Sequence, residues 1–225
     1  MSREYDDLYA RHQMMAALVN VLVHDLRNPL HSATLLIEAM GSPSANIEAL
    51  RGKLRAQIGK LDALIGETNS SMRELVVEPQ IEVVAVDTLL RAIVEHYPVV
   101  IGRAATFEVP SVPGLKAVID LKLVERAAIE IAAAVAERHA EQSENSPPRV
   151  ILTVDEPEAG TVRIRVGDLA REPTDALAKA PFAVAGGGIR LASARSLAQS
   201  ASASVRLEQD PAGVGRFSLF LRKAN

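Results

Sequence analysis

The sequence predicts an α+β protein in two parts: an N-terminal antiparallel helical hairpin over residues 1–78 and an α/β sandwich over residues 79–225. Three observations predict it. Apolar residues recur at helical spacing through roughly the first third of the chain. Glu78-Pro79-Gln80 interrupts that regime, since proline cannot continue the hydrogen-bond ladder of a helix. Beyond it, short segments of alternating polarity are interleaved with three helical ones, the pattern of a sheet covered on one face by helices.

In chain order, Met15, Val19, Leu22, Leu26, Leu30, Ala33 and Ile37 recur at spacings of three and four and form one stripe of a first helix. Gly41-Ser42-Pro43-Ser44 stops it, and Pro43 or Ser44 is expected to start the second helix. That helix carries Ile47, Leu50, Leu54, Ile58, Leu61, Leu64, Ile65, Met72 and Leu75, a stripe sustained over about four heptads. Two helices cannot enclose a core alone. A homodimer through the hairpin, giving a four-helix bundle, is the expected solution.

After the break, Ile81–Val84 reads as a short strand and Val86–Val100 as a helix. Thr106–Val109 and Lys116–Val118 read as strands around a turn-rich Pro110-Ser-Val-Pro-Gly114 segment. Asp120–Ala140 is a strong helix with an alanine-rich face. Arg149–Val154 and Thr161–Val166 alternate about a turn at Glu156–Gly160, as a hairpin does. A helix from Ile189 to Ser200 follows three glycines. Ser204–Glu208 and Arg216–Leu221 make a last hairpin around Asp210-Pro-Ala-Gly213.

Composition removes several function classes. In 225 residues the chain has 48% hydrophobic residues, which supports a packed core and excludes wholesale disorder. It has no cysteine, so disulfide scaffolds, thiolate metal sites and cysteine catalysis are excluded. A net charge of −3 without a basic stripe gives no footprint for nucleic acid. No apolar run approaches the roughly 20 residues that cross a bilayer, so no membrane partner is expected. The polar, acidic N-terminus does not read as a signal peptide, and the expected location is the cytoplasm. His12, His96 and His139 are isolated from one another, so metal-ligand spacing is absent.

The chemically informative run is His24-Asp25-Leu26-Arg27-Asn28-Pro29-Leu30 in the first helix. At about 100° per residue, His24 falls almost opposite the apolar stripe, with Asn28 one turn along on the same side. Asp25 is within reach of His24, and Pro29 deletes the hydrogen bond that its nitrogen would have given to the Asp25 carbonyl. A neutral imidazole is a good nucleophile towards phosphorus, and an adjacent carboxylate fixes its tautomer. His31 lies on that side too, without a neighbouring carboxylate.

This run resembles the phosphoacceptor box of two-component histidine kinases, His-Glu/Asp-Leu/Ile-Arg-Asn-Pro-Leu, and the hairpin resembles their dimerisation and phosphotransfer domain. The resemblance implies catalytic roles for His24, Asp25, Arg27 and Asn28: His24 as the phosphorylated residue, Asp25 as its acid/base partner, and Asn28 at the position linked to phosphatase activity.

From Val86 onward the order of elements resembles the ATP-binding domain of the same kinases, but its boxes are damaged. Where the family has Asn-x-x-x-Asn to hold magnesium, the helix presents Glu130-Ile131-Ala132-Ala133-Ala134. The Asp-x-Gly-x-Gly box reads Asp168-Leu169-Ala170-Arg171-Glu172. Only Ala183-Val184-Ala185 separates Pro181-Phe182 from the next box, so the family's lid is missing. Gly186-Gly187-Gly188-Ile189-Arg190-Leu191 resembles the last glycine box, with Arg190 in place of its final glycine. Asp168, Gly186 and Gly188 are the remains of a vestigial nucleotide site.

The resemblance is closest to dimeric histidine phosphotransferases with a degenerate ATP-binding domain. It implies relay of a phosphoryl group between response-regulator aspartates through His24, without ATP-dependent autokinase activity. The chain is expected to bind no cofactor, with Mg2+ supplied by the partner receiver domain. The alternatives are a divergent ATP-dependent kinase and a non-catalytic pseudokinase scaffold that binds a receiver or a kinase.

Overall fold

A computed structural model describes the backbone of residues 2–42, 46–76, 78–140, 148–167, 188–209 and 215–224. The chain divides into two compact units, Met1–Arg73 and Glu74–Asn225.

The first unit is built on two long helices, α1 (Ser2–Met40) and α2 (Ile47–Val76). α1 runs through Pro29 as helix and closes with tight turns, Gly41 N–H donating to the Glu38 carbonyl at 3.0 Å. The start of α2 differs from the expectation. Asn46 is the cap, its Oδ1 accepting the Ala49 N–H at 3.1 Å, because an amide oxygen three residues upstream satisfies a donor that the first turn leaves unpaired. Pro43 and Ser44 lie outside the described residues.

The single apolar stripe expected on α1 is two stripes. Leu22, Leu26, Ala33, Leu36 and Met40 are part-shielded and Pro29 is buried, as are Leu50, Leu54, Leu61, Leu64 and Thr68 to similar degrees along one side of α2. Met15, Val19, Val23, Leu30 and Ile37 instead stand 36–58% exposed along a second edge of α1, and Ile47, Ile58 and Ile65 do so on α2. One partner helix covers only one stripe of its neighbour, so the broader apolar arc of each helix extends past what the other can shield.

The second unit is an α/β sandwich. Its strands are β1 (Glu82–Ala85), β2 (Thr106–Glu108), β3 (Lys116–Ile119), β4 (Arg149–Asp155), β5 (Thr161–Gly167), β6 (Ser204–Gln209) and β7 (Gly215–Lys223), which form a 7-stranded sheet among the described residues. The order is β1-β3-β7-β5-β4-β2. β7 is the hub: one edge pairs with β5, and the other pairs first with β6 and then, at Arg222 and Lys223, with β3. The pairings are antiparallel except β2 with β4. The strand pairs of both expected hairpins, β4–β5 and β6–β7, are antiparallel neighbours; the turn expected over residues 210–213 lies outside the described residues.

Three helices, α3 (Val86–Ile101), α4 (Leu121–Ala140) and α5 (Gly188–Ser200), cover one face. α4 touches α3, α5, β4 and β5, and Ala127, Ala128, Ala132, Ala133 and Ala134 are each at most 1% exposed. Small side chains let α5 approach closely, which explains why the middle helix is alanine-rich. Asp120 caps α4 rather than forming its first turn. Its Oδ1 accepts the Leu123 N–H at 3.0 Å and its Oδ2 the Gln80 N–H at 2.6 Å, tying the strand entering β1 to the helix. α3 ends at Gly102, whose φ of +70° is open to glycine without steric cost.

Leu152, Ile164, Val166, Phe217 and Leu219 point into the helical face. The alternate residues carry charge on the other: Arg163 bonds Asp155 (2.6 Å) and Glu208 (3.1 Å), and Arg206 lies 4.6 Å over the Phe220 ring. No described helix is long and apolar enough to cross a membrane.

Candidate functional site

Helical phase determines what α1 can offer chemically. The edge bearing Met15, Val19 and Leu30 and the stripe bearing Leu22 and Pro29 leave a third side free, and His24 stands on it with 61% of its side chain exposed. Arg27, Asn28 and His31 are exposed as well. Asp25, one residue on, is only 10% exposed, and its Oδ1 lies 3.0 Å from His24 Nδ1.

A carboxylate only accepts, so Nδ1 carries the proton in this bond and the neutral ring keeps its lone pair on Nε2. An accessible nitrogen nucleophile with a proton acceptor at its far side is a competent arrangement for taking a phosphoryl group. Asp25 is held on the protected flank, so rotation of the imidazole is constrained by a group that is itself constrained. Arg27 and Asn28 have no described contact with the pair; they share its open surface.

The residues expected to form a vestigial nucleotide site are placed only in part. Asp168 and Gly186 lie outside the described residues, and Gly188 opens α5. The two substituted boxes meet. Arg190, which stands for the last glycine, donates from Nη1 to Glu130 Oε2 at 2.8 Å and from Nε to Glu137 Oε1 at 2.9 Å. Glu130, which stands for the first asparagine, is 2% exposed and also pairs with Arg126 at 2.7 Å. Ala134 is 1% exposed and carries no oxygen ligand. Burial pushes the Glu137 carboxyl up, with Arg190 opposing the shift. Burial likewise pushes the Tyr97 hydroxyl up to about 12, with the Glu137 charge adding to it. Residues that matched no nucleotide ligand are thus bonded to one another between α4 and α5.

The same arrangement of elements recurs in solved structures. An Acinetobacter baumannii histidine kinase, AdeS, aligns over 90% of this chain and 98% of its own, with 12% identity and a TM-score of 0.52. The histidine kinase ThkA, solved in complex with the response regulator TrrA, aligns over 98% of this chain and 66% of its own, with 15% identity and a TM-score of 0.65. The fold is histidine kinase-like. Full-length ShkA in complex with AMPPNP aligns over 92% of this chain and 46% of its own, with 20% identity and a TM-score of 0.50. No family model matches the sequence, and neither does any curated protein.

This histidine kinase-like fold also holds pairs that spacing in the sequence could not reveal. His96 on α3 bonds Glu125 on α4 across 29 residues, Nδ1 to Oε1 at 2.6 Å, and that bond is the main reason its imidazole titrates above the ordinary value. Arg126 and Glu137 join the Arg190–Glu130 pair from one and two turns away along α4. No regular spacing links any of these residues to its partner on another helix. Among the described residues there is no group of three or more His, Asp or Glu able to hold a metal.

Proposed function

We propose that this chain is a histidine phosphotransferase that relays a phosphoryl group between response-regulator aspartates through His24. The observation that carries this reading is the exposed His24 imidazole with Nδ1 held 3.0 Å from the shielded Asp25 carboxylate. In the forward step the Nε2 lone pair forms a bond to phosphorus while the bond to the receiver's aspartyl oxygen breaks, returning a free carboxylate. Asp25 balances the charge that develops on the ring through the Nδ1 proton. Delivery to a second receiver is the same step reversed. The chain's contribution is alignment, and Mg2+ belongs to the receiver's own acidic site, not to this chain. A receiver partner accords with the fold's recurrence in ThkA, which was solved with a response regulator.

Arg27 and Asn28 share the exposed surface where a receiver lands, and Asn28, one turn from His24, orients the phosphoryl oxygens or an attacking water. The exposed edges of α1 and α2 support a homodimer through the hairpin, since a second copy covers apolar side chains that one copy leaves in water.

The competing reading is a divergent kinase that still uses ATP, and the fold favours neither. What supports relay is the Arg190–Glu130 pair. A buried glutamate presents negative charge, not an amide, and its oxygens are taken up by guanidinium groups. The deciding experiment has two arms on wild type and His24→Gln. The first incubates each with γ-labelled ATP and Mg2+, and the second with a phosphorylated receiver. Acid-labile label from the receiver alone, lost in His24→Gln, is the expected result. Label from ATP overturns it in favour of a kinase, and label from neither leaves the scaffold reading.

A further inference from the structure

A second imidazole in this chain is held as His24 is. His96 has 51% of its side chain exposed, and Glu125, its Nδ1 partner at 2.6 Å, is 14% exposed; the corresponding values for His24 and Asp25 are 61%, 10% and 3.0 Å. In both cases an open ring is anchored at Nδ1 by a shielded carboxylate. The bond acceptor has no proton to give, so the neutral ring carries its lone pair on Nε2. The anchors come about differently. Asp25 is the next residue in the same helix, whereas Glu125 reaches His96 from α4, so only packing of α3 on α4 creates the second pair.

The surroundings leave the ring approachable. One turn back on α3 is Ala92 and one turn on is Val99, which at 81% is the most exposed large hydrophobic side chain among the described residues. The charges acting on the ring are those of Glu125 and, more weakly, Glu95 on α3 itself.

We propose that His96 is a second phosphoacceptor, taking a phosphoryl group on Nε2 from a phosphoramidate donor, with Glu125 as its positioning residue. The inference rests on the phosphohistidine reading of His24 for its chemistry, but not for its outcome. The Nε2 lone pair forms the new N–P bond as the P–N bond of the donor, protonated on its own nitrogen, breaks and the neutral amine leaves with the bonding pair. The ring becomes cationic on attack, and its Nδ1 proton is shared with or passed to the Glu125 carboxylate. Glu125 also stabilises the protonated ring before attack, so the reaction speeds up as pH rises and the imidazole loses its proton.

The test uses the full chain and potassium phosphoramidate, with label mapped by mass spectrometry under conditions that preserve phosphohistidine. His12 and His31 are exposed and have no carboxylate partner among the described contacts, so they report the background rate in the same digest. His96 is expected to label on the order of tenfold faster than they do, below the roughly hundredfold that a positioned proton acceptor contributes inside an enzyme site. Glu125→Gln brings His96 down to their rate and moves the pH midpoint of its labelling towards 6.5, the ordinary value. Glu125→Asp, which keeps a carboxylate, restores part of both, and a folded far-ultraviolet spectrum is required of each variant. Labelling of His96 no faster than His31, or unchanged in Glu125→Gln, overturns the proposal. Label at His24 is read separately. Its failure to label bears on the proposed relay and not on His96.

Discussion

Arg190 Nη1 stands 2.8 Å from Glu130 Oε2, joining the first turn of α5 to the middle of α4 across 60 residues of chain. Each residue departs from the kinase pattern by itself, and each accounts for the other. A buried glutamate needs a cation, and an arginine in a glycine's place needs an acid. Such a pair is weak evidence of added stability, because desolvation offsets attraction, but breaking it leaves the buried Glu130 charge balanced by Arg126 alone.

Arg190→Ala is therefore expected to destabilise the protein by about 2 kcal/mol, less than the cost of orphaning a buried charge, because Arg126 still holds Glu130. Glu130→Ala/Arg190→Ala together should cost less than the sum of the single changes. Chemical unfolding of the two single variants and the double one measures the coupling, and strict additivity contradicts the pairing.

His24→Gln is expected to abolish acid-labile labelling by a phosphorylated receiver while shifting unfolding by no more than about 0.5 kcal/mol, because an exposed side chain away from the core supports little packing. Asp25→Asn should slow transfer without removing the acceptor. Full labelling of His24→Gln would remove His24 from the mechanism.

Leu30→Asp with Ile58→Asp is expected to convert a dimer to a folded monomer in sedimentation. These side chains are 51% and 54% exposed in the single chain, so charge there opposes a second copy more than it opposes the helices themselves. Leu22→Asp and Leu61→Asp, at part-shielded positions, should disturb the hairpin as well. A wild-type monomer in solution would defeat the bundle.

On the open sheet face, hydrogen bonds from Arg163 hold the Asp155 carboxyl below its ordinary value of 3.8, with the charge of Arg165 adding to the effect. The folded state then binds the proton less readily than the unfolded one. Its stabilisation is present above the ordinary value and is lost as pH falls through the lowered folded value. Asp155→Asn should flatten the acid limb of stability against pH, and an unchanged limb would show that the pair contributes nothing.

The local elements were legible in the sequence because their causes are local. Three- and four-residue spacing specified α1 and α2, and alternation specified β4 and β5. Those periodicities follow from backbone geometry alone. The His24 run was legible for the same reason: Asp25 is its neighbour, and helical phase places both. Helix boundaries were less so. Asn46 caps α2 where Pro43 or Ser44 was expected, because several adjacent residues in that turn can satisfy the first amide and only the path of the chain selects one.

What tertiary structure alone decided is who meets whom across the chain. One apolar stripe on α1 became two because α2 covers a limited arc. Glu130 met Arg190, and His96 met Glu125, because alanines in α4 let its neighbours draw close enough for side chains 60 and 29 residues apart to bond. The sequence by itself determined the elements, the acid beside His24 and the absence of an Asn-x-x-x-Asn pattern on α4. Whether the substituted residues became isolated charges or a bonded cluster depended on helix packing, since a pair attraction acts only once the backbone has brought both partners within a few ångströms.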